Sequence, residues 1–157
     1  MTRTLSLASR LREVLLNGKW IANTNFKEQI EHVDWEQAIR KVENLNTIAL
    51  LSFHINYYLA GILNVFKAGK LQISDRYSFD LPAITSAAGW DQLVNEFLGN
   101  AEQFIKEVEQ MEDDRLDQPF VDEKYGTWLR NIEGVIEHSY YHLGQVVLIK
   151  KMITLKQ

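Results

Sequence analysis

Two histidines near the carboxyl end of the chain carry the clearest chemical signal in the sequence. His138 and His142 lie four residues apart, which on a helix places both imidazole rings on one face, one turn apart. Two neutral imidazoles in that arrangement can bind one divalent metal ion. Asn131 and Gln145 fall in the same narrow arc at about 100° per residue, so a polar stripe runs along this face. Apolar residues flank the stripe, as is typical of a site inside a helical protein: Trp128, Val135, Val146 and Ile153 on one side, Tyr141 and Leu148 on the other.

A third histidine, His54, lies on an earlier predicted helix and shares its face with apolar or aromatic residues: Leu50, Leu51, Tyr57, Tyr58, Gly61, Ile62 and Val65. A buried imidazole needs partners for its nitrogens, and a metal ion, a carboxylate or a backbone carbonyl would serve. A lone histidine on an apolar face is more often a satisfied core residue than a ligand. The pattern alone therefore leaves both interpretations open. The fourth histidine, His32, lies in a polar stretch and is predicted to be a surface residue.

Three imidazole ligands would leave a tetrahedral ion one open position. Such an ion can lower the pKa of a bound water, polarise a carbonyl group, or bind and deprotonate a thiol. By helical geometry the nearest candidate catalytic residues are Tyr58, Tyr141 and Gln145. Glu137 lies about 100° round the helix from His138 and is expected to face elsewhere. This weak set of acids and bases favours thiol transfer over hydrolysis.

The composition excludes other kinds of chemistry. The 157 residues include no cysteine, which excludes disulfides, thiolate metal sites and a cysteine nucleophile. The net charge is −4 and charges of both signs alternate, so the basic stripe that a nucleic-acid partner requires is missing. The amino-terminal segment lacks the apolar core of a signal peptide, and no continuous apolar run reaches the length of a membrane span. We therefore expect one domain in the cytoplasm, with neither nucleic acid nor membrane as a partner.

Apolar residues at steps of three and four predict four long helices, at 5–16, from position 44 or 46 to 67, at 90–111 and at 127–152. Short helices are predicted at 26–32 and 35–42, the second with Asp34 as N-cap. The predicted N-cap of the second long helix is Asn44 or Asn46, Gly69 is its predicted end, and Thr127 is the predicted N-cap of the last helix. The connection at 70–89 is long enough to cross one end of a bundle or to cover a site. The expected fold is an all-α four-helix bundle with a long crossover loop.

The last predicted helix also carries a second apolar stripe, away from the histidines: Leu129, Ile132, Ile136, Leu143 and Val147. A helix with one core-facing side should not need this much apolar surface. It packs either on two neighbours within the chain or on another subunit. We expect a homodimer, with Ile136 and Leu143 near the centre of its interface.

Several segments resemble the DinB/YfiT family of helical proteins. Residues 136–145 (IEHSYYHLGQ) resemble the last helix of that family, in which His-x-x-x-His is followed closely by Gly-Gln. Residues 46–55 (NTIALLSFHI) are similar to its second helix, and residues 34–38 (DWEQA) to the stretch before that helix. Residues 18–20 (GKW) resemble a glycine-tryptophan turn in one branch. The similarity covers most of the chain and keeps the order of elements.

The resemblance implies a four-helix bundle with an unusual helix order, and a divalent metal held by His54, His138 and His142. Zinc or nickel is the first expectation for the metal, and iron or another divalent ion the next. The resemblance also implies a small-molecule substrate and a low-molecular-weight thiol, such as bacillithiol, as co-substrate of an S-transferase-like enzyme. Two alternatives stay open: a metal-dependent hydrolase, and a non-catalytic metal-binding or structural stress-related bundle.

Overall fold

The computed structural model describes residues 1–155, and within them the chain is all-α with no strand. The helices are α1 (Arg3–Arg12), α2 (Phe26–Glu31), α3 (Trp35–Ile39), α4 (Ile48–Ala68), α5 (Ala87–Gln110) and α6 (Trp128–Leu155). A π-helical turn, Glu13–Asn17, extends α1. Short 3₁₀ turns lie at Asp75–Tyr77, Asp113–Asp117 and Glu123–Tyr125. The all-α prediction is confirmed.

The four longest helical segments enclose one apolar core. α4 packs against α5 and α6, and α1 packs against the same two helices, so each segment contacts two of the others. α4 and α6 run antiparallel, since Phe66 at the end of α4 packs on Trp128 at the start of α6. The apolar stripe predicted for the third long helix is buried at every position: Trp90, Leu93, Val94, Phe97, Ala101, Phe104, Ile105, Val108 and Met111.

Local caps explain where the long helices begin and end. The N-cap of α4 is Thr47, one residue after Asn46 and three after Asn44, because the Thr47 side chain accepts a hydrogen bond from the Leu50 amide and neither asparagine acts as cap. Gly69 ends this helix in the left-handed conformation, at a φ of 67°, as predicted. The Thr127 hydroxyl accepts from the Arg130 amide, which confirms the predicted start of α6.

Other boundaries also differ from the prediction, and α6 continues to Leu155, three residues beyond its predicted end. α1 starts at Arg3, two residues earlier than predicted, because Thr2 caps it. α3 is shorter than predicted, since Arg40 already has an extended backbone, and the predicted N-cap Asp34 forms a capping box with Gln37. α5 starts at Ala87, ahead of Trp90, because Ser86 accepts from the Gly89 amide.

The segment that joins α4 to α5, residues 70–86, folds back along α4, and we call it the strap. The Tyr57 hydroxyl donates to the Ser74 carbonyl oxygen at 2.9 Å and accepts from the Ser74 amide at 3.0 Å. One turn further along α4, Gly61 leaves room for Ile73, since a Cβ there would lie 2.5 Å from Ile73 Cδ1. These contacts dock the strap along one face of α4, so that its later residues reach His54.

The second apolar stripe of α6 packs inside the chain. Ile132, Ile136 and Leu143 are each at most 2% exposed, and Leu129 and Val147 pack against the same core. The placement of Ile136 and Leu143 at a dimer centre is therefore wrong. α6 has two buried sides because α1 packs against it as well as α4. The oligomeric state itself stays a prediction.

α4 is long and apolar enough, by length and composition alone, to cross a membrane. The count of continuous apolar residues did not single it out because polar side chains such as His54 and Asn56 interrupt the run. Within the fold 67% of its most apolar stretch is buried, and the core helix of a globular protein meets the same criteria.

Candidate metal centre

The three predicted ligands meet between α4 and α6. His138 Nε2 lies 3.1 Å from His54 Nε2 and 2.9 Å from His142 Nε2. The three rings stand nearly perpendicular to one another, with interplanar angles of 75° to 78° and centroids 4.6 to 4.9 Å apart. His54 and His142 are buried, whereas His138 is partly exposed. The structure thus brings together imidazoles from distant parts of the chain, since His54 and His138 lie 84 residues apart in sequence.

Hydrogen bonds on the outer side fix two of the rings. His54 Nδ1 lies 3.1 Å from the backbone oxygen of Ser78 in the strap, and His142 Nδ1 lies 2.7 Å from Gln145 Oε1. Both oxygens only accept hydrogen bonds, so both Nδ1 atoms carry the proton. His54 and His142 therefore direct the lone pairs of their Nε2 atoms towards His138.

Hydrogen bonding within the protein leaves this cluster incomplete. Two lone pairs converge on His138 Nε2, and a neutral His138 offers at most one N–H there. One buried nitrogen therefore has no donor, and an unsatisfied polar atom in the interior is costly. A cation at the point where the three Nε2 atoms converge would satisfy all three lone pairs.

Burial keeps the three histidines neutral, as ligation requires. Burial lowers the pKa of His138 to about 4, with a further contribution from the charges of His142 and His54. It also lowers the pKa of His54 and the pKa of His142, while the hydrogen bonds to Ser78 and Gln145 oppose the shift.

The donor set fits a divalent metal. The three ligand nitrogens lie within 4.8 Å of one another. Zn–N bonds of about 2.0–2.1 Å in tetrahedral geometry separate ligand nitrogens by about 3.4 Å, so small ring movements would suffice. Each outer hydrogen bond of His54 and His142 is of the kind that orients metal-binding histidines. All-imidazole ligation suits zinc, nickel, copper or iron.

The strap forms one wall of the centre. The Phe79 ring stacks on the His54 ring, with centroids 3.9 Å apart and planes at 10°. The Tyr58 ring stands edge-on to His54 and His138, at 5.1 and 5.3 Å, and its hydroxyl donates to Asp75 Oδ1 at 2.8 Å. Burial raises the Tyr58 pKa, so this phenol keeps its proton at neutral pH.

The three candidate catalytic residues lie around the centre in different positions. Tyr58 lies beside two of the histidines and hydrogen-bonds Asp75. The Gln145 side-chain oxygen accepts a hydrogen bond from His142, so Gln145 orients a candidate metal ligand. Tyr141 is 65% exposed and meets His142 edge-on at 4.9 Å. Whether any of them takes part in a reaction stays a prediction.

Three polar residues considered in the sequence, Asn131, Glu137 and His32, form no hydrogen bond with the three histidines. The Asn131 amide nitrogen donates to the carbonyl oxygens of Tyr125 and Thr127, away from the histidines. Glu137 faces outward and pairs with Arg130 at 2.9 Å, as its helical position predicted. His32 is exposed, also as predicted.

Two clefts flank the cluster along the seam between α4 and α6. One of about 290 Å³ opens on His138 and Tyr58, and its far wall includes Arg130, Asn131 and Gly134. The other, of about 330 Å³, lies behind Gln145 and is mostly apolar. Because His138 is the least buried ligand, the first cleft is the route from solvent to the centre.

Sequence reasoning missed the contribution of the strap. Asp75, Ser78 and Phe79 contact the centre, yet the sequence around them shows only a long connection. The Ser78 contact uses a backbone oxygen, which leaves no trace in residue type. Only the length of the connection hinted that it covers a site.

No model of a protein family, no curated protein and no solved structure matches the chain. The geometry of His54, His138 and His142 is therefore what identifies the centre as a candidate metal site.

Proposed function

We propose that the protein is a metal-dependent enzyme of the DinB/YfiT type, a four-helix bundle that holds one divalent ion on His54, His138 and His142. The observation that carries the proposal is the hydrogen-bond deficit at the three Nε2 atoms, two of which must present lone pairs. The ring of contacts among α1, α4, α5 and α6, together with the long strap, supports the bundle.

A bound divalent ion would supply one open coordination position, where a thiol or water can be deprotonated or a carbonyl polarised. The surrounding side chains then bind and orient the substrate. Tyr58 keeps its proton and is tied to Asp75, so it holds or donates a hydrogen bond more readily than it accepts a proton. Phe79 and the strap shield His54 from water.

The environment of the centre favours thiol transfer over hydrolysis. A hydrolase needs a general base near the attacking water, and the nearest carboxylate, Asp75, is already engaged by Tyr58. A thiol that the metal deprotonates needs no such base. We rank an S-transferase-like reaction with a low-molecular-weight thiol first and a metal-dependent hydrolase second. A non-catalytic metal-binding or stress-related structural role is the third candidate, and zinc or nickel are the first candidates for the ion.

Metal analysis of single-alanine variants tests the centre. His54→Ala, His138→Ala and His142→Ala should each lower the metal content at least tenfold, because each removes one of three ligands; removing even an outer partner typically costs about 10–100-fold in affinity. The protein should be purified without a histidine tag and without added metal, and measured by inductively coupled plasma mass spectrometry.

His32→Ala is the matched control, since His32 is exposed and outside the cluster. It should retain the metal content of the unmodified protein. Circular dichroism of each variant separates loss of ligand from loss of fold. A folded His138→Ala protein with full metal content would overturn the proposal.

A further inference from the structure

The cleft that opens on His138 has a chemical character of its own. It measures about 290 Å³, and Ile62 and Val135 give it an apolar floor. Gly134 lies on the wall, where a Cβ would meet nothing within 4 Å. A cleft of this size and composition suits a small organic molecule with an apolar middle portion.

A cation edges the same cleft close to the centre. Arg130 Nη1 donates to Glu137 Oε2 at 2.9 Å, so the side chain runs up α6 past Gly134 to the residue that precedes His138. Of the three guanidinium nitrogens of Arg130, only Nη1 has a hydrogen-bond partner among residues 1–155. Nε and Nη2 are left to bind a planar anion side-on, and guanidinium groups bind carboxylates in this way.

Asn131 adds an acceptor beside this cation. Its amide nitrogen donates to two backbone carbonyls, which leaves Oδ1 of this cleft-lining residue without a partner among the described residues. The lining of the cleft thus combines a donor pair for an anion, an acceptor for an N–H or O–H group, the apolar side chains of Ile62 and Val135, and His138.

We infer that this cleft binds a small carboxylate-bearing substrate, with the carboxylate on Arg130 and the other end of the molecule reaching the centre at His138. The inference rests on the proposed metal centre for the direction in which the substrate lies, and it narrows the substrate to organic anions. A substrate carboxylate would compete with the exposed Glu137 for the Arg130 guanidinium.

Thiols of equal length and different charge test the inference. The probes are 3-mercaptopropionate, 3-mercapto-1-propanol and 3-amino-1-propanethiol, titrated into the cobalt-substituted protein and followed by the thiolate-to-cobalt absorption band. The carboxylate should bind several-fold more tightly than the alcohol, since it alone forms a charge-assisted pair with Arg130. The amine should bind most weakly.

Variants separate Arg130 from the charge of the metal itself. Arg130→Gln should reduce the preference for the carboxylate to the level that the cobalt ion alone imposes. Glu137→Gln should enlarge it, because the competing carboxylate is gone. Arg10→Gln is the matched control: Arg10 also pairs with a glutamate of α6, Glu133, but Arg10 does not line the cleft, so its replacement should leave the preference unchanged.

A variant that fills the cleft tests its use by the substrate without changing any charge. Gly134→Leu should fill the cleft and weaken all three thiols, whereas Gly144→Leu, on the same helix and equally open, should not. Equal affinity for the three thiols, or a carboxylate preference that is as large in Arg130→Gln as in the unmodified protein, overturns the inference and leaves the metal centre intact.

A metal-independent measurement keeps the two proposals distinguishable. Propionate titrated into the metal-free protein should give saturable shifts of the Gly134 amide and the Arg130 Nε–H resonance in ¹⁵N–¹H spectra, and 1-propanol should give none. Shifts with propionate but no thiol binding to the cobalt protein would support the anion site and overturn thiol transfer. No shift with propionate would count against the anion site whatever the thiols do.

Discussion

At the residue scale, the hydrogen bonds at the Nδ1 atoms of His54 and His142 distinguish the centre from a mere cluster of polar side chains. A backbone oxygen from the strap and a side-chain oxygen from α6 each hold one ring by its Nδ1 atom. These two contacts fix which nitrogen faces inward, before any ion binds. Of the two acceptors, only Gln145 can be removed by substitution, because it uses a side-chain oxygen whereas Ser78 uses its backbone oxygen.

Gln145→Leu should lower metal affinity about 10–100-fold, because His142 loses the acceptor that fixes its tautomer. Gln145→Glu should retain or raise the affinity, since a carboxylate accepts the same hydrogen bond more strongly and makes the ligand more basic. Competition with a fluorescent zinc chelator gives both values. If the leucine variant bound zinc as tightly as the unmodified protein, Gln145 would have no role in positioning His142.

The sequence predicted the ligands but not their supports. His138 and His142 were predictable because helical spacing alone places them together. The apolar face of His54 predicted its burial and left its role as a ligand open, and the family resemblance added that role. Ser78, Phe79 and Asp75 were not, since the strap has no period that relates it to α4. Its contacts depend on where the chain returns in space.

At the scale of elements, the strap and α4 form one unit that positions His54. Tyr57 and Tyr58 lie in one turn of α4 and Gly61 lies in the next, and each contacts the strap. The helical periods of α4 and α5 were readable in the sequence, but their starts were not. Thr47 competes with two asparagines for the cap, and Ser86 gives α5 an extra turn before its first large apolar residue.

Gly61→Ala should destabilise the protein by about 1–3 kcal/mol, because the added methyl group would overlap Ile73 and push the strap outward. Displacement of the strap moves the Ser78 carbonyl away from His54, so metal affinity should fall with stability. Urea unfolding and the zinc competition assay measure the two effects.

Gly99→Ala provides the contrast on α5. A Cβ at position 99 meets nothing within 4 Å, so alanine there should stabilise the helix by about 0.5–1 kcal/mol and leave metal affinity unchanged. A Gly61→Ala protein with normal stability and normal affinity would show that the strap does not hold His54.

At the scale of the whole molecule, the neutral histidines link folding to pH. The folded protein holds His138 with a pKa of about 4, below the value of about 6.5 in an unfolded chain. Below pH 6.5 the unfolded state therefore binds more protons than the folded state, and stability falls as the pH falls towards 4. Above about pH 6.5 His138 is neutral in both states, so this loss of stability is absent there.

The metal-free protein should therefore show a melting temperature that is steady from pH 8 to 7 and falls between about pH 6.5 and 5. His138→Gln should show a shallower fall in that range, since it removes the histidine with the lowest pKa. Zinc should raise the melting temperature at pH 7 and lose this effect near pH 5, because protons displace the ion. Identical melting temperatures at pH 7 and 5 without metal would contradict the buried, neutral state of the three histidines.

Self-association also belongs to the scale of the whole molecule. The homodimer stays a prediction, but its interface would have to use an exposed face of α6, since Ile136 and Leu143 are buried. α6 exposes Tyr141, Leu148 and Leu155 at seven-residue intervals, with exposures of 65%, 55% and 85%. A two-fold contact of this face would cover it in the simplest symmetric way. Leu148→Glu should turn a dimer into a monomer of 18.3 kDa by light scattering, whereas Leu5→Glu, an exposed leucine on α1, should not. A monomeric unmodified protein at micromolar concentration excludes the dimer, because the face would then lie open to solvent.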